Sequence, residues 1–137
     1  TMSAHKIVQP AGWPAPSGFA NGIVASGRSV WIAGQIGRDG TNPFPPDLAR
    51  QVAQALANVA AVLASAGGGP EHIVRMTWYM LDLDDYEKRL REIGAAYREI
   101  MGRNFPAMTV VEVKRLVERE ALVEIEATAV LPEDGKA

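Results

Sequence analysis

Between Ile73 and Leu81 the chain alternates like a strand. Val74, Met76, Trp78 and Met80 fall on one side, and Ile73, Arg75, Thr77, Tyr79 and Leu81 on the other. The same period of two predicts a strand over Val123 to Ala129, with Val123, Ile125, Ala127 and Ala129 on an apolar face and Leu122, Glu124, Glu126 and Thr128 opposite. Phe105 to Val113 reads as a further strand. Between the strands the spacing changes to that of helices. Leu48, Val52, Ala55, Leu56, Val59, Leu63 and Ala66 recur at helical intervals behind Asp47, an N-cap, and Gly67-Gly68-Gly69-Pro70 ends the run. Asp84 or Asp85 caps a second helix whose stripe is Tyr86, Leu90, Ile93, Tyr97, Ile100 and Met101. Near the N-terminus, Gly22 to Ser26 and Val30 to Gly34 are short strands, and Gly27-Arg28-Ser29 between them has the turn chemistry of a hairpin. Residues 1–17, rich in Pro and Gly, form an extended arm.

The order strand, strand, helix, strand, helix, strand, strand predicts an α+β fold, a mixed sheet with both helices on one face. Two helices cover one side only. The other would carry Tyr79, Thr77, Met108, Val110 and Leu122 among polar groups, an apolar area that calls for self-association. Ring closure would bring Arg75, Glu112, Glu124 and Glu126 to subunit boundaries, where small-molecule clefts form.

Composition narrows the function. A chain of 137 residues, 47% hydrophobic and 22% charged, is expected to form a single domain over residues 1–137. Net charge is −2, without the basic surface that nucleic-acid binding demands. The absence of cysteine excludes a thiol nucleophile or thiolate metal site, and His5 and His72 are too scattered for zinc, so no metal is expected. With no signal pattern and no apolar run of about 20 residues, the expectation is a cytoplasmic protein with no membrane partner. Two acids on one strand face, Glu124 and Glu126, fit either a solvated sheet surface or a ligand site.

Gly34-Gln35-Ile36-Gly37 after an apolar strand, Gln51 and Asn58 in the first helix, Ala66-Gly67 at its end, Phe105-Pro106-Ala107, and Val123-Glu124-Ile125-Glu126-Ala127 together resemble the YjgF/RidA family, from Gly18 to Val130. The resemblance implies a chorismate-mutase-like α+β subunit, a homotrimer with its sheets facing inward, and clefts between neighbours. It also implies hydrolytic deamination of reactive enamines and imines to keto acids and ammonium, with no cofactor. In the family an arginine directly after the Pro-Ala pair grips the substrate carboxylate, and the first Glu of the Glu-Ile-Glu stretch orders water. Those positions are Met108 and Glu124 here, so the carboxylate is kept and the cation is not. Methionine donates no hydrogen bond, and a charge-assisted contact of about 1.5–3 kcal/mol is lost or supplied from elsewhere.

Further site residues follow from the same resemblance. Gly34 matches a glycine whose amide faces the ligand, Phe19 a residue walling the cleft mouth, and Thr109 a small hydroxyl beside the lost arginine. Arg75 and Arg103 are the two candidates for a displaced anchor. Three functions are then open: a deaminase for a non-standard substrate such as an aminomuconate-like acid, a non-catalytic trimer binding small molecules, and a ribonuclease, for which an acidic chain has little to hold phosphate.

Overall fold

Alternation and helical spacing become nine strands and α-helices, with a 3-10 turn at Pro70–His72, along residues 3–133, the part of the chain that the computed structural model describes. They are β1 (Lys6–Val8), β2 (Gly22–Val24), β3 (Arg28–Ile36), α1 (Leu48–Ser65), β4 (Ile73–Met80), α2 (Leu83–Lys88), α3 (Leu90–Met101), β5 (Ala107–Glu112) and β6 (Val123–Leu131). The fold is α+β. A four-stranded mixed sheet runs in the order β3-β6-β4-β5, with β4 and β5 parallel and the other neighbours antiparallel.

α1 forms as its spacing predicts. The Asp47 side chain accepts from the Arg50 amide at 3.1 Å, and Gly67, at φ +85°, lets the chain leave the helix in a left-handed conformation. Leu48, Val52, Ala55, Leu56, Val59 and Leu63 are all buried against the sheet. Each large aliphatic side chain so buried contributes about 1.5–3 kcal/mol. The second helical stretch is broken. Asp82, rather than Asp84 or Asp85, caps α2, and Arg89 separates it from α3, whose Ile93, Tyr97 and Met101 face the core.

The register corrects three strand assignments. β2 does not form a hairpin with β3. It pairs antiparallel with β1 in a separate two-stranded sheet, while β3 pairs with β6. In β4 the pairing with β6 slips between Ile73 and Arg75, which turns Ile73 into the core beside Met76, Trp78 and Met80 and leaves Val74 half-buried. In β5, Met108 stands beside Met76 and Val110 beside Trp78, so both face the helices; with Leu122 they pack against the core instead of on the open face. Both alternating sets of β5 carry apolar residues, and neither marks itself as the inner one.

On β6 the expected faces hold. Val123, Ile125, Ala127 and Ala129 are buried, and Glu124, Glu126 and Thr128 look the other way. The open face also carries Arg75, Thr77, Tyr79, Thr109 and Trp31, the last 78% exposed.

Two polar side chains of α1 tie the loops to this frame. Gln51, 1% exposed, donates through Nε2 to the carbonyls of Pro45 and Glu120, both at 3.0 Å, and accepts from the Leu122 amide at 2.8 Å. Asn58 donates to the carbonyls of Ile36 and Arg38 and accepts from Gln54. Replacing Gln51 with leucine keeps the bulk but leaves three backbone groups without partners. We expect Gln51→Leu to lower unfolding free energy by about 2–4 kcal/mol, read as a shift of the urea midpoint with unchanged slope.

Candidate functional site

Gly34 and Glu124 lie together where β3 meets β6. A Cβ built on Gly34 would stand 2.0 Å from Oε2 of Glu124, so only glycine lets the carboxylate rest against the β3 backbone. Glu124 faces away from the core beside Tyr79, its register partner on β4. Burial, and then the negative charge and hydrogen bonding of nearby Glu126, push the Tyr79 phenol above its usual range, with Glu124 adding to the effect and Arg75 opposing it. The phenol is therefore a standing proton donor among carboxylates at neutral pH.

Met108 and Phe19 are elsewhere. Both line a cavity of about 490 Å³ on the helix side of the sheet, between α3 and β5, with Trp78, Tyr86, Tyr97 and Val110. Its aromatic wall is built by contact. Tyr97 and Phe105 stack at 5.6 Å and 10°, Trp78 lies tilted against Tyr97 at 6.2 Å, and Tyr86 meets Trp78 edge-on at 6.5 Å. Burial raises the phenols of Tyr97 and Tyr86, which stay protonated. The Tyr97 hydroxyl donates to the Asn104 carbonyl, and the Asn104 amide caps Met101 at 2.7 Å, fixing the turn that delivers Phe105 and Pro106. Phe19 reaches the cavity mouth because the Ala20 amide bonds the Pro106 carbonyl at 3.0 Å, in a parallel bridge from Ala20 to Ala107.

The other predicted residues separate from both groups. Thr109 is exposed on the open face level with Thr77. Arg75 borders a shallow depression of about 410 Å³ there, with Trp31, Thr77, Glu126 and Thr128. Arg103 is exposed in the turn after α3 and lines neither hollow. Sequence reasoning missed Arg98, which lies at the rim of the Met108 cavity. Its signal was faint: Arg98 follows Gly94 by one helical turn, beside the apolar stripe of α3. Among the described residues no group of three or more His, Asp or Glu is placed to hold a metal.

Residues 13–131 match the family described as endoribonuclease L-PSP. The chain belongs to this family, the YjgF/RidA family. A RutC family protein of Synechocystis is 38% identical to it, with 93% of this chain and 97% of the relative covered. A 2-iminobutanoate/2-iminopropanoate deaminase of Bos taurus is 31% identical over 92% of this chain and 90% of its own. Among solved structures, the Rid family protein YyfB of Yersinia pestis superposes with a TM-score of 0.81 at 31% identity, covering 93% of this chain and 98% of that one. The YjgF gene product of E. coli gives 0.67 at 35% identity, covering 91% and 98%. The RidA fold thus carries a chain in which Gly34 and Glu124 meet on one sheet face and Met108 and Phe19 share a cavity on the other.

In this RidA-family chain the contact at Gly34 can be tested by adding one methyl group. The Glu124 side chain must yield from its Cγ outward, so we expect Gly34→Ala to cost about 1–3 kcal/mol in stability and to turn Glu124 away from the β3 backbone. Chemical denaturation and a crystal structure of the variant check the two halves of this expectation.

Proposed function

We propose that the protein hydrolyses a reactive imine or its enamine tautomer to a keto acid and ammonium, in a cleft that two copies complete. The observation carrying this reading is the division of the site between opposite sheet faces: Glu124 with Gly34 near one edge of the sheet, Met108 with Phe19 beside the other edge strand, β5. One copy has no way to bring these groups around one substrate. Head-to-tail association, with the β3–β6 side of each copy against the β5 side of the next, closes into a ring and unites them. A homotrimer is the ring that the family resemblance implies, and Trp31, exposed on the open face, gains cover from it.

In that cleft the family chemistry has its parts. The enamine tautomerises to an imine, water held by Glu124 attacks the imine carbon, and the carboxylate passes the proton to the departing nitrogen. The family resemblance makes Gly34, which lies against that carboxylate, the glycine whose amide faces the ligand. The bovine relative's name, a deaminase of 2-iminobutanoate and 2-iminopropanoate, supports the reaction class. Because Met108 offers no charge, the substrate is non-standard, an extended imino acid such as an aminomuconate-like acid. The reaction asks for no cofactor and suits a cytoplasmic enzyme.

Binding without chemistry is the alternative, favoured by Met108 alone. RNA cleavage, the activity in the family's description, needs cations along a phosphate track, and the 490 Å³ cavity offers only Arg98 among its lining residues.

Two outcomes test the proposal. Light scattering at micromolar concentration should give three times the mass of the chain; a monomer removes the composite cleft. Glu124→Gln, which keeps the shape and removes the base, should cut imine turnover by about 10²–10⁴-fold with the assembly intact. Unchanged turnover would leave the carboxylate without a catalytic part.

A further inference from the structure

We propose that the cavity between α3 and β5 takes the side chain of an aromatic 2-imino acid, and that Arg98 at its rim holds the substrate carboxylate in place of the cation absent at Met108. This rests on the deaminase reading above and puts an aromatic, single-carboxylate substrate class in place of its aminomuconate-like example.

The cavity walls argue for the aromatic group. Trp78, Tyr86, Tyr97 and Phe105 already stack and meet edge-on with one another, and Met108 and Val110 complete an apolar lining. An inserted ring finds both faces and edges to pack on. A volume of about 490 Å³ lies within the usual range for ligand sites and exceeds what a methyl or ethyl side chain would fill. Methionine adapts to such a guest, and its sulfur favours ring edges.

The rim argues for one carboxylate. Arg98 is the only cation in the lining, and among the described residues its guanidinium takes part in no ion pair. It folds back along α3: a Cβ on Gly94 would lie 3.3 Å from Nη1, so the glycine keeps open the strip of helix on which the guanidinium rests. There it presents its planar fork at the mouth, where the Glu124 of an adjoining copy would enter. A second carboxylate at the far end of the substrate would sit among Trp78, Ile93, Tyr97 and Met108 without a cation to pair with, a costly desolvation. The step itself is balanced. Water forms the new C–O bond at the imine carbon, its protons move to nitrogen through Glu124, the C–N bond breaks, and an aryl keto acid and ammonia leave without any oxidant.

The experiment generates imines in place with an amino-acid oxidase acting on phenylalanine, alanine or glutamate, and follows keto-acid release above the uncatalysed rate. We expect kcat/KM for the phenylalanine imine to exceed the other two at least about tenfold. Arg98→Gln should lower that value about 10–100-fold, mostly through KM, with Arg98→Lys in between. Calorimetry gives a readout independent of turnover: phenylpyruvate should bind at least about tenfold more tightly than pyruvate, and Arg98→Gln should weaken the binding of both about 10–100-fold. Equal rates on all three imines, a preference for the glutamate imine, or an Arg98→Gln variant with unaltered kinetics and binding overturns the proposal and leaves the deaminase reading standing. If no imine is turned over, that reading fails, and calorimetry still decides the aromatic site: selective, Arg98-dependent binding of phenylpyruvate upholds it and equal binding of the two keto acids overturns it.

Discussion

The buried amide of Gln51 is the constraint on which the geometry turns. It stands in the first turn of α1, yet its three hydrogen bonds go to the chain before the helix and to the chain before β6, far away in sequence. An amide in the interior is costly unless its donors and acceptor are met, and here they are met by backbone groups that would otherwise be unpaired in their turn. The bond to the Leu122 amide sits one residue before β6 begins, so α1 and the start of β6 hold a fixed relation. From that anchor the strand's alternation turns Val123 and Ile125 to the helices and Glu124 outward. Gly37 seals the same joint, since a Cβ there would lie 2.5 Å from the Gln51 backbone.

Much of the fold was legible because the pattern was redundant. α1 announced itself by cap, stripe and glycine terminator together, and β6 by four small or apolar residues alternating with polar ones. β5 was not legible in the same way. Ala107, Thr109 and Val111 form one side and Met108, Val110 and Glu112 the other, and hydrophobicity does not choose between them; the parallel register with β4 does. The slip at Val74 was hidden because Ile73 and Val74 are equally apolar. The supposed hairpin failed for another reason: turn chemistry at Gly27 is local, whereas the partner of β3 is nearly a hundred residues away.

The site shows the same division. Glu124 and Gly34 were readable as members of one strand face and one close approach. Phe19 and Met108 were readable by resemblance, but the cavity they share was not, because its walls come from α3 as much as from the strands. Arg98 escaped since an arginine on an exposed helical surface reads as ordinary solvation; only the third dimension sets it over an aromatic hollow. Arg75 and Arg103 looked better placed along the chain, and the fold sends one to the open sheet face and the other into solvent.

Placing the carboxylate and the aromatic cavity on opposite sides of one sheet also separates their histories. Substitutions along α3 and β5 reshape the hollow through contacts that end at the inner layer of the sheet, while Glu124 is held by β3 and β6 on the far side. Change in one half is insulated from the other by a packed layer of Met76, Trp78 and Ile125. Such a scaffold can change what its cavity admits without disturbing the contact between Glu124 and the β3 backbone.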